Sequence, residues 1–487
     1  MKKLILFTLL LGIFTSTVSC GGGDGVNHYT TTSAKKASKT TKSTINDSVE
    51  TEPAPEVPEK LLNIQEARQF NNGVAWVKSD NGWNIVDTEG NIVKTFDANY
   101  AVTTDFIGGY SIITVGSNVN KIIVNTKGET VLDLSAQGYT ELYNYDGLDM
   151  GSVVVNKKLD SFDKSGIYHF HYDLNTQTEK EMLPAIELYR SPLIYVGNGF
   201  YVISGKGATR KEYEQERFVF HNYFNDTTLS FLDDAFEDGV DEYHNYDVSR
   251  VGDFVVGHIT ALYRKSMTHT EDVEKCFTFD LVNNQSQQIL TDGVCFDIPD
   301  DKIWNNGAYI DINYTHLFND FETGQFTEFK PNCDYRCDIQ DYNNGYFFVT
   351  TENENRTEFF TVIDWNMNPL FTPKRYSDTT TFIKDYIVYN EENGAGTIMY
   401  IPDNAVIKEF PDSEVIYTDK SNLYVWVRNK DNTVECFDIK TGNQILKLDG
   451  AYDILTDFSD GLVAVNSTET NEKSYINMSG EKLKITE

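Results

Sequence analysis

The chain has 487 residues, which is enough for one large domain or for several smaller ones. Its formal net charge is −33, from 74 acidic and 41 basic residues, and this disfavours nucleic-acid binding because a negative surface repels phosphate backbones. Aromatic residues make up 13% of the chain, and flat rings pack well on a pleated sheet. We therefore expect an acidic, mainly β protein with no nucleic-acid partner.

The first twenty residues, MKKLILFTLLLGIFTSTVSC, have the layout of a secretion signal. Lys2 and Lys3 are followed by the apolar run 4–14 and then by small residues. Eleven apolar residues cannot span a membrane as a helix, which needs about 20. The pattern predicts a signal peptide over residues 1–19.

The end of this segment, Thr17-Val18-Ser19-Cys20, resembles the lipobox of bacterial lipoproteins. The resemblance implies that Cys20 becomes the first residue of the mature chain, with a diacylglycerol on its thiol and a further acyl chain such as palmitate on its amine. We therefore expect a lipid anchor on an extracytoplasmic membrane face of a bacterial envelope. The alternative is an ordinary signal peptide with a cysteine nearby by chance.

Residues 20–60 are expected to form a flexible tether. The segment is rich in Gly, Ser, Thr, Lys, Pro and Glu and has almost no large apolar side chain. Such a composition cannot bury enough surface to offset the entropy of ordering. The tether would lift the folded part, residues 61–487, away from the lipid.

Residues 61–487 contain about ten similar units, at intervals of roughly 36 to 55 residues. The clearest, FNNGVAWVKSDNGWNIVDTEGNIVKTF, begins at Phe70 and reads as short strands separated by Gly and Asn/Asp turns. A period near 40 with three or four strands per unit is typical of β-propeller blades. We expect an all-β propeller of about seven to ten blades, with one ring of seven or eight preferred. The alternatives are two smaller propellers divided near residue 300, and a tandem array of β-sandwiches.

The first unit resembles the WG-type (KWG-like) propeller repeat of bacterial secreted proteins. Gly73, Gly82, Trp83 and Gly90 carry this resemblance, and the second and last units resemble the repeat too. The resemblance implies a propeller that binds a ligand, and it implies that these four residues are structural and supply no catalytic group.

Five cysteines follow Cys20. Cys333 and Cys337 are separated by three residues, and we rank a local disulfide first, a free buried thiol second and a metal site last. Cys276 and Cys295 could join a hairpin, and Cys436 is expected in the core.

No metal site and no cofactor are expected. His169 and His171 share one face of a predicted strand, as zinc ligands can, but no third ligand accompanies them, so we interpret them as surface histidines. The acidic run 233–247 breaks the alternation of a calcium loop. Trp304 and Trp365 could stack on sugar rings, but we expect them to pack between blades.

The sequence contains no G-x-S-x-G elbow and no phosphate-binding glycine loop, and no residue is predicted to be catalytic. The preferred interpretation is therefore a lipid-anchored, non-catalytic binding module for a protein or a glycan. The alternative is a propeller glycoside hydrolase or lyase acting on extracellular polysaccharide, with two carboxylates about 5 to 10 Å apart in a central pocket.

Overall fold

The chain divides into two units, residues 1–58 and 59–487. The structure, a computed structural model, describes part of the second unit, and within 228–317 it describes the backbone alone. The described ranges are 61–116, 120–160, 165–182, 194–197, 199–206, 216–229, 240–251, 254–266, 269–280, 285–288, 303–304, 307–312, 315–320, 325–330, 337–353, 355–377 and 379–486.

The described residues form ten antiparallel sheets, nine with four strands and the last with three. In every sheet the strands lie in chain order, each paired with the next. The strands are, in sheet 1, β1 (Glu66–Ala67), β2 (Val74–Ser79), β3 (Gly82–Asp87) and β4 (Ile92–Phe96); in sheet 2, β5 (Tyr100–Val102), β6 (Tyr110–Val115), β7 (Asn120–Asn125) and β8 (Thr130–Asp133); in sheet 3, β9 (Glu141–Asn144), β10 (Ser152–Asp160), β11 (Ser165–Asp173) and β12 (Thr178–Glu181); in sheet 4, β13 (Ile194–Gly197), β14 (Phe200–Lys206), β15 (Glu216–Asn222) and β16 (Thr227–Leu229); in sheet 5, β17 (Val240–Val251), β18 (Phe254–Ser266), β19 (His269–Asp280) and β20 (Gln285–Gln288); in sheet 6, β21 (Ile303–Trp304), β22 (Gly307–Ile312), β23 (Thr315–Asp320) and β24 (Phe326–Glu328); in sheet 7, β25 (Cys337–Asn343), β26 (Tyr346–Glu352), β27 (Glu358–Asp364) and β28 (Lys374–Arg375); in sheet 8, β29 (Thr381–Ile383), β30 (Tyr386–Asn390), β31 (Gly396–Tyr400) and β32 (Ala405–Phe410); in sheet 9, β33 (Ser413–Asp419), β34 (Tyr424–Asn429), β35 (Val434–Asp438) and β36 (Gln444–Leu448); and in sheet 10, β37 (Tyr452–Ile454), β38 (Leu462–Ser467) and β39 (Lys473–Asn477).

The first two strands of several sheets are joined by a tight turn with two left-handed residues. In sheet 1 these are Asn72 (φ 57°) and Gly73 (φ 80°), and a mutual backbone pair between Asn71 and Val74 closes the turn. Two consecutive positive φ values match the right-handed twist of the flanking strands, which is why Asn-Gly is favoured there. The same conformation recurs at 108–109, 344–345 and 460–461.

A second recurring turn joins the third and fourth strands. In sheet 1 the Asp87 carboxylate accepts the backbone N–H groups of Glu89 (3.1 Å) and Asn91 (2.8 Å), which fixes the turn. The side chain at the end of the third strand accepts backbone N–H groups in the same way at Asn125, Asp173, Asn222, Asp364, Asp438 and Asn477. We call the end of each sheet that carries both kinds of turn the turn end.

In several sheets, one aromatic ring near the start of the second strand packs against the preceding sheet, and we call this ring the wedge. Phe106 lies four residues before the second strand of sheet 2, and its ring stacks on Trp76 of sheet 1 at 5.4 Å between ring centroids. Both rings are buried, and the Trp76 indole Nε1–H donates to Ser111 Oγ at 2.9 Å. Equivalent stacks join Phe348 with Phe382 (5.8 Å) and Trp426 with Phe458 (5.6 Å).

The wedge also joins the last sheet to the first. Phe70 of sheet 1 meets Tyr475 of sheet 10 edge to face at 4.8 Å, in one buried apolar cluster. Tyr475, the ring that Phe70 contacts, lies on the third strand of sheet 10. The second-strand residue opposite it is Ala464, which occupies the position that a large ring takes in other sheets. Leu62 N–H also donates to the Ile485 carbonyl at 2.8 Å. We call this junction of sheets 10 and 1 the seam.

A glycine contact also recurs at the seam. The glycine of the turn after the third strand of sheet 2 lies directly against β4, the fourth strand of sheet 1, and the corresponding glycine of sheet 1 lies against Lys484, which follows β39 of sheet 10. A Cβ on Gly128 would lie 2.6 Å from Lys94 Cβ, and one on Gly90 would overlap the carbonyl of Lys484. The seam therefore has the packing of an ordinary boundary between neighbouring sheets.

The expected β-propeller is confirmed, with one correction. The ten sheets stand at the upper limit of the expected range, and the preference for seven or eight blades was wrong, because each of the longer middle units also forms a four-stranded sheet. Packing of sheet 10 on sheet 1 is the arrangement of one ring rather than of two propellers divided near residue 300.

We predict that Gly90→Ala destabilises the protein far more than Gly73→Ala. Both glycines have positive φ, so either alanine costs about 1–2 kcal/mol for its left-handed backbone. A Cβ at Gly73 meets nothing within 4 Å, whereas one at Gly90 meets the Lys484 carbonyl, which adds about 1–3 kcal/mol of overpacking. Thermal melting of the two variants tests this, and equal losses would contradict the close approach at the seam.

We predict that Phe70→Ala and Phe106→Ala cost similar amounts of stability, about 3–5 kcal/mol each, since both remove a buried ring that wedges two sheets together. Denaturant unfolding of the two variants measures the costs. A Phe70→Ala variant as stable as the wild type would show that the seam does not hold sheets 10 and 1 together.

Candidate functional site

Sheet 3 departs from the common design at its turn end. A short 3-10 helix, Asp146–Met150, stands where other sheets have the two-residue turn between their first two strands. It ends at Gly151, whose left-handed backbone (φ 71°) places its N–H on the Leu148 carbonyl. Leu148 is buried and faces the core between sheets 2 and 3, so the helix is anchored while its two ends face solvent.

Four large apolar side chains are exposed at the turn end of sheets 2, 3 and 4. They are Ile107, Tyr145, Met150 and Phe224, each between 38% and 42% exposed. A single exposed apolar side chain is ordinary, but a group on neighbouring elements is typical of a binding surface. We call these four residues the turn-end patch.

Close contacts hold the elements of the patch together. Gly108, next to Ile107, lies directly against the carbonyls of Leu148 and Asp149, which ties sheet 2 to the 3-10 helix. The Tyr195 hydroxyl of sheet 4 donates to Asp149 Oδ1 at 3.1 Å, which ties the helix to sheet 4. The patch therefore lies on packed elements of three adjacent sheets.

A buried polar chain lies between sheets 3 and 4 behind the patch. Ser152 Oγ is 2.6 Å from His171 Nε2 and 3.1 Å from the Tyr201 hydroxyl, and all three residues are almost fully buried. Ser152 Oγ, His171 Nε2 and the Tyr201 hydroxyl thus all have a hydrogen-bond partner, as burial requires. Gly147 leaves room for the Tyr201 hydroxyl, which would lie 2.9 Å from a Cβ built at that position.

The His171 ring links this polar chain to the exposed patch. It stacks on Tyr223 at 5.3 Å with an interplanar angle of 16°, and the Phe224 ring meets it edge to face at 5.1 Å. Phe224 is therefore supported from below by an imidazole that is itself fixed by Ser152. The patch residue and the buried chain form one connected structure.

Burial controls the protonation of this histidine. Loss of water around the ring lowers the pKa of His171 to about 4, against the opposing effect of the Asp173 carboxylate. Burial also lowers the pKa of the neighbouring His221, which the Asp226 carboxylate opposes. His171 is therefore neutral at pH 7, so one ring nitrogen carries a proton and the other accepts.

The Ser152–His171 pair resembles a nucleophile and its base only in distance. The Ser152 side chain is inaccessible to solvent and is shared between His171 and Tyr201, so a substrate carbonyl has no approach to Oγ. A nucleophile needs a reacting atom beside it. We assign the pair to packing between the two sheets.

Two carboxylates near the turn end of sheets 9 and 10 also have structural roles. Asp419 is buried and accepts the backbone N–H groups of Asn422 (2.9 Å) and Phe458 (2.8 Å). Asp457 accepts the hydroxyls of Tyr417 (2.6 Å) and Ser421 (2.7 Å). These oxygens are engaged in holding neighbouring turns together.

The interpretation of the two histidines as surface residues was wrong for His171, which is buried because β11 faces sheet 4 at that position. His169, two residues earlier, packs edge to face on Tyr143 at 4.5 Å. Within the described residues, no three His, Cys, Asp or Glu side chains are grouped to hold a metal ion.

The other predicted residues fall into two groups. Cys436 is a free, buried core thiol, as expected, and Trp365 packs against Phe347 between sheets 6 and 7. The remaining predictions concern residues or side chains outside the described part of the chain: Cys20, Cys276, Cys295, Trp304, Cys333, Cys337 and the acidic run 233–247.

The repeat-signature residues take up structural positions. Gly82 has φ 117° at the turn between β2 and β3, where a Cβ would overlap the Phe96 carbonyl. Trp83 is buried, with the Arg68 guanidinium 5.0 Å and the Lys78 ammonium 5.6 Å from its ring centroid.

Sequence reasoning missed the turn-end patch and the buried chain behind it. The available signal was the stretch YDGLDMGS, in which Asp146–Met150 lengthens the connection that other units make with two residues.

In the part of the chain that the structure describes, no helix has the length and apolar character needed to cross a membrane.

No family model and no curated protein matches this sequence. Among solved structures, the chain is similar to dipeptidyl peptidase 4 of Porphyromonas gingivalis, with 12% identity, a TM-score of 0.35, and coverage of 81% of this chain and 60% of that one. It is also similar to BamB of Moraxella catarrhalis, with 9% identity, a TM-score of 0.26, and coverage of 84% and 99%. A computationally designed protein, Ika8, shows 10% identity, a TM-score of 0.26, and coverage of 86% and 98%.

The chain thus spans about 60% of the length of the peptidase. Likenesses at this level of identity and TM-score say nothing about activity or ligand.

We predict that His171 makes stability depend on pH. Its pKa is lower in the folded chain (about 4) than in the unfolded chain (about 6.5), so the unfolded state binds more protons between these values. The part of the free energy of unfolding that depends on His171 being neutral is fully present above about pH 6.5. It is lost as the pH falls toward 4, and about 2–3 kcal/mol is lost at pH 4.5. The melting temperature of His171→Gln should therefore fall less than that of the wild type between pH 7.5 and 4.5, and equal falls would contradict the assignment.

Proposed function

We propose that this protein is held by lipid at Cys20 on an extracytoplasmic face of a bacterial membrane and that its propeller binds a protein or glycan without chemical turnover. The lipid anchor is supported by the charged start, the short apolar run and the Thr17–Cys20 motif. The composition of residues 20–60 supports a flexible tether between the anchor and the folded part. Two or three acyl chains give firm membrane attachment.

The turn-end patch carries the binding part of the proposal. Ile107, Tyr145, Met150 and Phe224 expose apolar surface on packed elements, and a preorganised surface loses little entropy when a ligand binds. The polar groups nearest to it that are arranged like a catalytic pair, Ser152 and His171, are buried and committed to each other. The geometry thus supports recognition better than catalysis.

A binding screen with product analysis tests this function. The full chain, purified in mild detergent, is titrated with a panel of purified glycans and of envelope and host proteins, and each glycan is then analysed for shortened products. We expect saturable binding to at least one panel member and unchanged glycans. Shortened glycan would contradict the proposal and favour the polysaccharide-cleaving alternative.

The lipid anchor is tested separately. Cys20→Ala should block both lipid transfer and signal removal, since the cysteine thiol receives the lipid before cleavage in the lipoproteins that this motif resembles. We expect the variant to take up no labelled palmitate and to retain residues 1–19 by mass. A variant that is cleaved and still resists alkaline extraction from membranes would contradict anchoring through Cys20.

A further inference from the structure

We infer that the turn-end patch binds a protein segment that combines apolar and basic side chains. This inference rests on the proposed binding function and names its partner class. It is carried by three features of the patch, which are the kind of apolar side chains, the charge at their margin, and the rigidity of their support.

The apolar side chains favour a protein over a glycan. Sugar rings bind on flat aromatic faces, whereas Ile107 is branched and Met150 is a flexible thioether. Methionine adapts its shape to different apolar partners and is frequent on surfaces that accept protein segments. Tyr145 and Phe224 add the aromatic anchors that are enriched in protein interfaces.

The charge at the margin of the patch favours a basic partner. Asp146 and Asp149 belong to the same 3-10 helix as Met150 and are exposed. Beside Phe224, Asp226 pairs with Lys180 at 2.6 Å, so that lysine does not offset the two helix carboxylates. An acidic margin on a chain of net charge −33 attracts cationic segments and repels acidic ones.

The patch is supported rigidly from below. Gly108, next to Ile107, lies so close to the carbonyls of Leu148 and Asp149 that no side chain fits between them, and the Asp149 carboxylate accepts a hydrogen bond from Tyr195. Phe224 rests on His171, which Ser152 fixes. Side chains on fixed elements lose little freedom when a partner docks, so more of the interaction energy appears as affinity.

The test uses peptides selected against the full chain in mild detergent. A random linear peptide library is displayed on phage, the enriched peptides are synthesised, and their affinities are measured for the wild type and two variants. Met150→Lys places a positive charge in the patch, which removes apolar surface and repels a basic partner. Met478→Lys is the matched control, because Met478 is equally exposed at the turn end of sheet 10, away from the patch. Both variants should melt like the wild type.

We expect the enriched peptides to carry Lys or Arg together with apolar residues. Met150→Lys should weaken their binding by about tenfold or more, a change of about 1.4 kcal/mol, while Met478→Lys leaves it unchanged. Enriched peptides that are acidic would overturn the inference, and so would an unchanged affinity for Met150→Lys.

These results separate the inference from the proposed function. Peptides that bind Met150→Lys as tightly as the wild type would leave a binding protein with its site elsewhere. Glycan binding without any enriched peptide would show that the partner class is wrong. If neither peptides nor panel members bind, both the inference and the proposed function fail.

Discussion

The packing of one aromatic ring between consecutive sheets is the interaction on which this propeller depends. A four-stranded sheet cannot bury both faces alone, so its stability comes from its neighbours. In several sheets a ring four residues before the second strand supplies that contact, as Phe106 does on Trp76. Because Phe70 makes a contact of this kind with Tyr475, the first and last sheets are held together in the same way as several of the sheets between them.

Much of the architecture was predictable from sequence. The Asn-Gly turn at 72–73 and the Asp87 turn each specify a local backbone conformation, so their recurrence marks sheet boundaries without tertiary information. The count of about ten units agrees with the ten sheets of the described residues, but the preference for seven or eight blades did not follow from that count. The middle units lack the signature Trp-Gly pair, so this pair alone does not mark their boundaries.

The candidate site was not predictable, because it depends on contacts between sheets. The alternation around His169 and His171 indicates that they share a strand face, but not that the neighbouring sheet covers His171. Met150 is likewise exposed because it ends a short 3-10 helix that buries Leu148 instead. A five-residue helix is too short for a periodic pattern in the sequence to show which of these two side chains is buried. By contrast, Cys436 lies in an alternating strand, and its burial followed from that pattern.

The seam has a mechanical consequence. The chain enters the propeller at residue 61, where Leu61 and Leu62 pair with Thr486 and Ile485, so the two ends of the fold clasp each other. If residues 20–60 tie the protein to a membrane, any drag on the propeller pulls on this clasp first. Behind it, Lys473 donates to the Gln65 carbonyl at 2.7 Å and the Tyr475 hydroxyl to the Arg68 carbonyl at 2.5 Å. Tension would thus reach a second row of bonds to sheet 10 before it could peel β1 away.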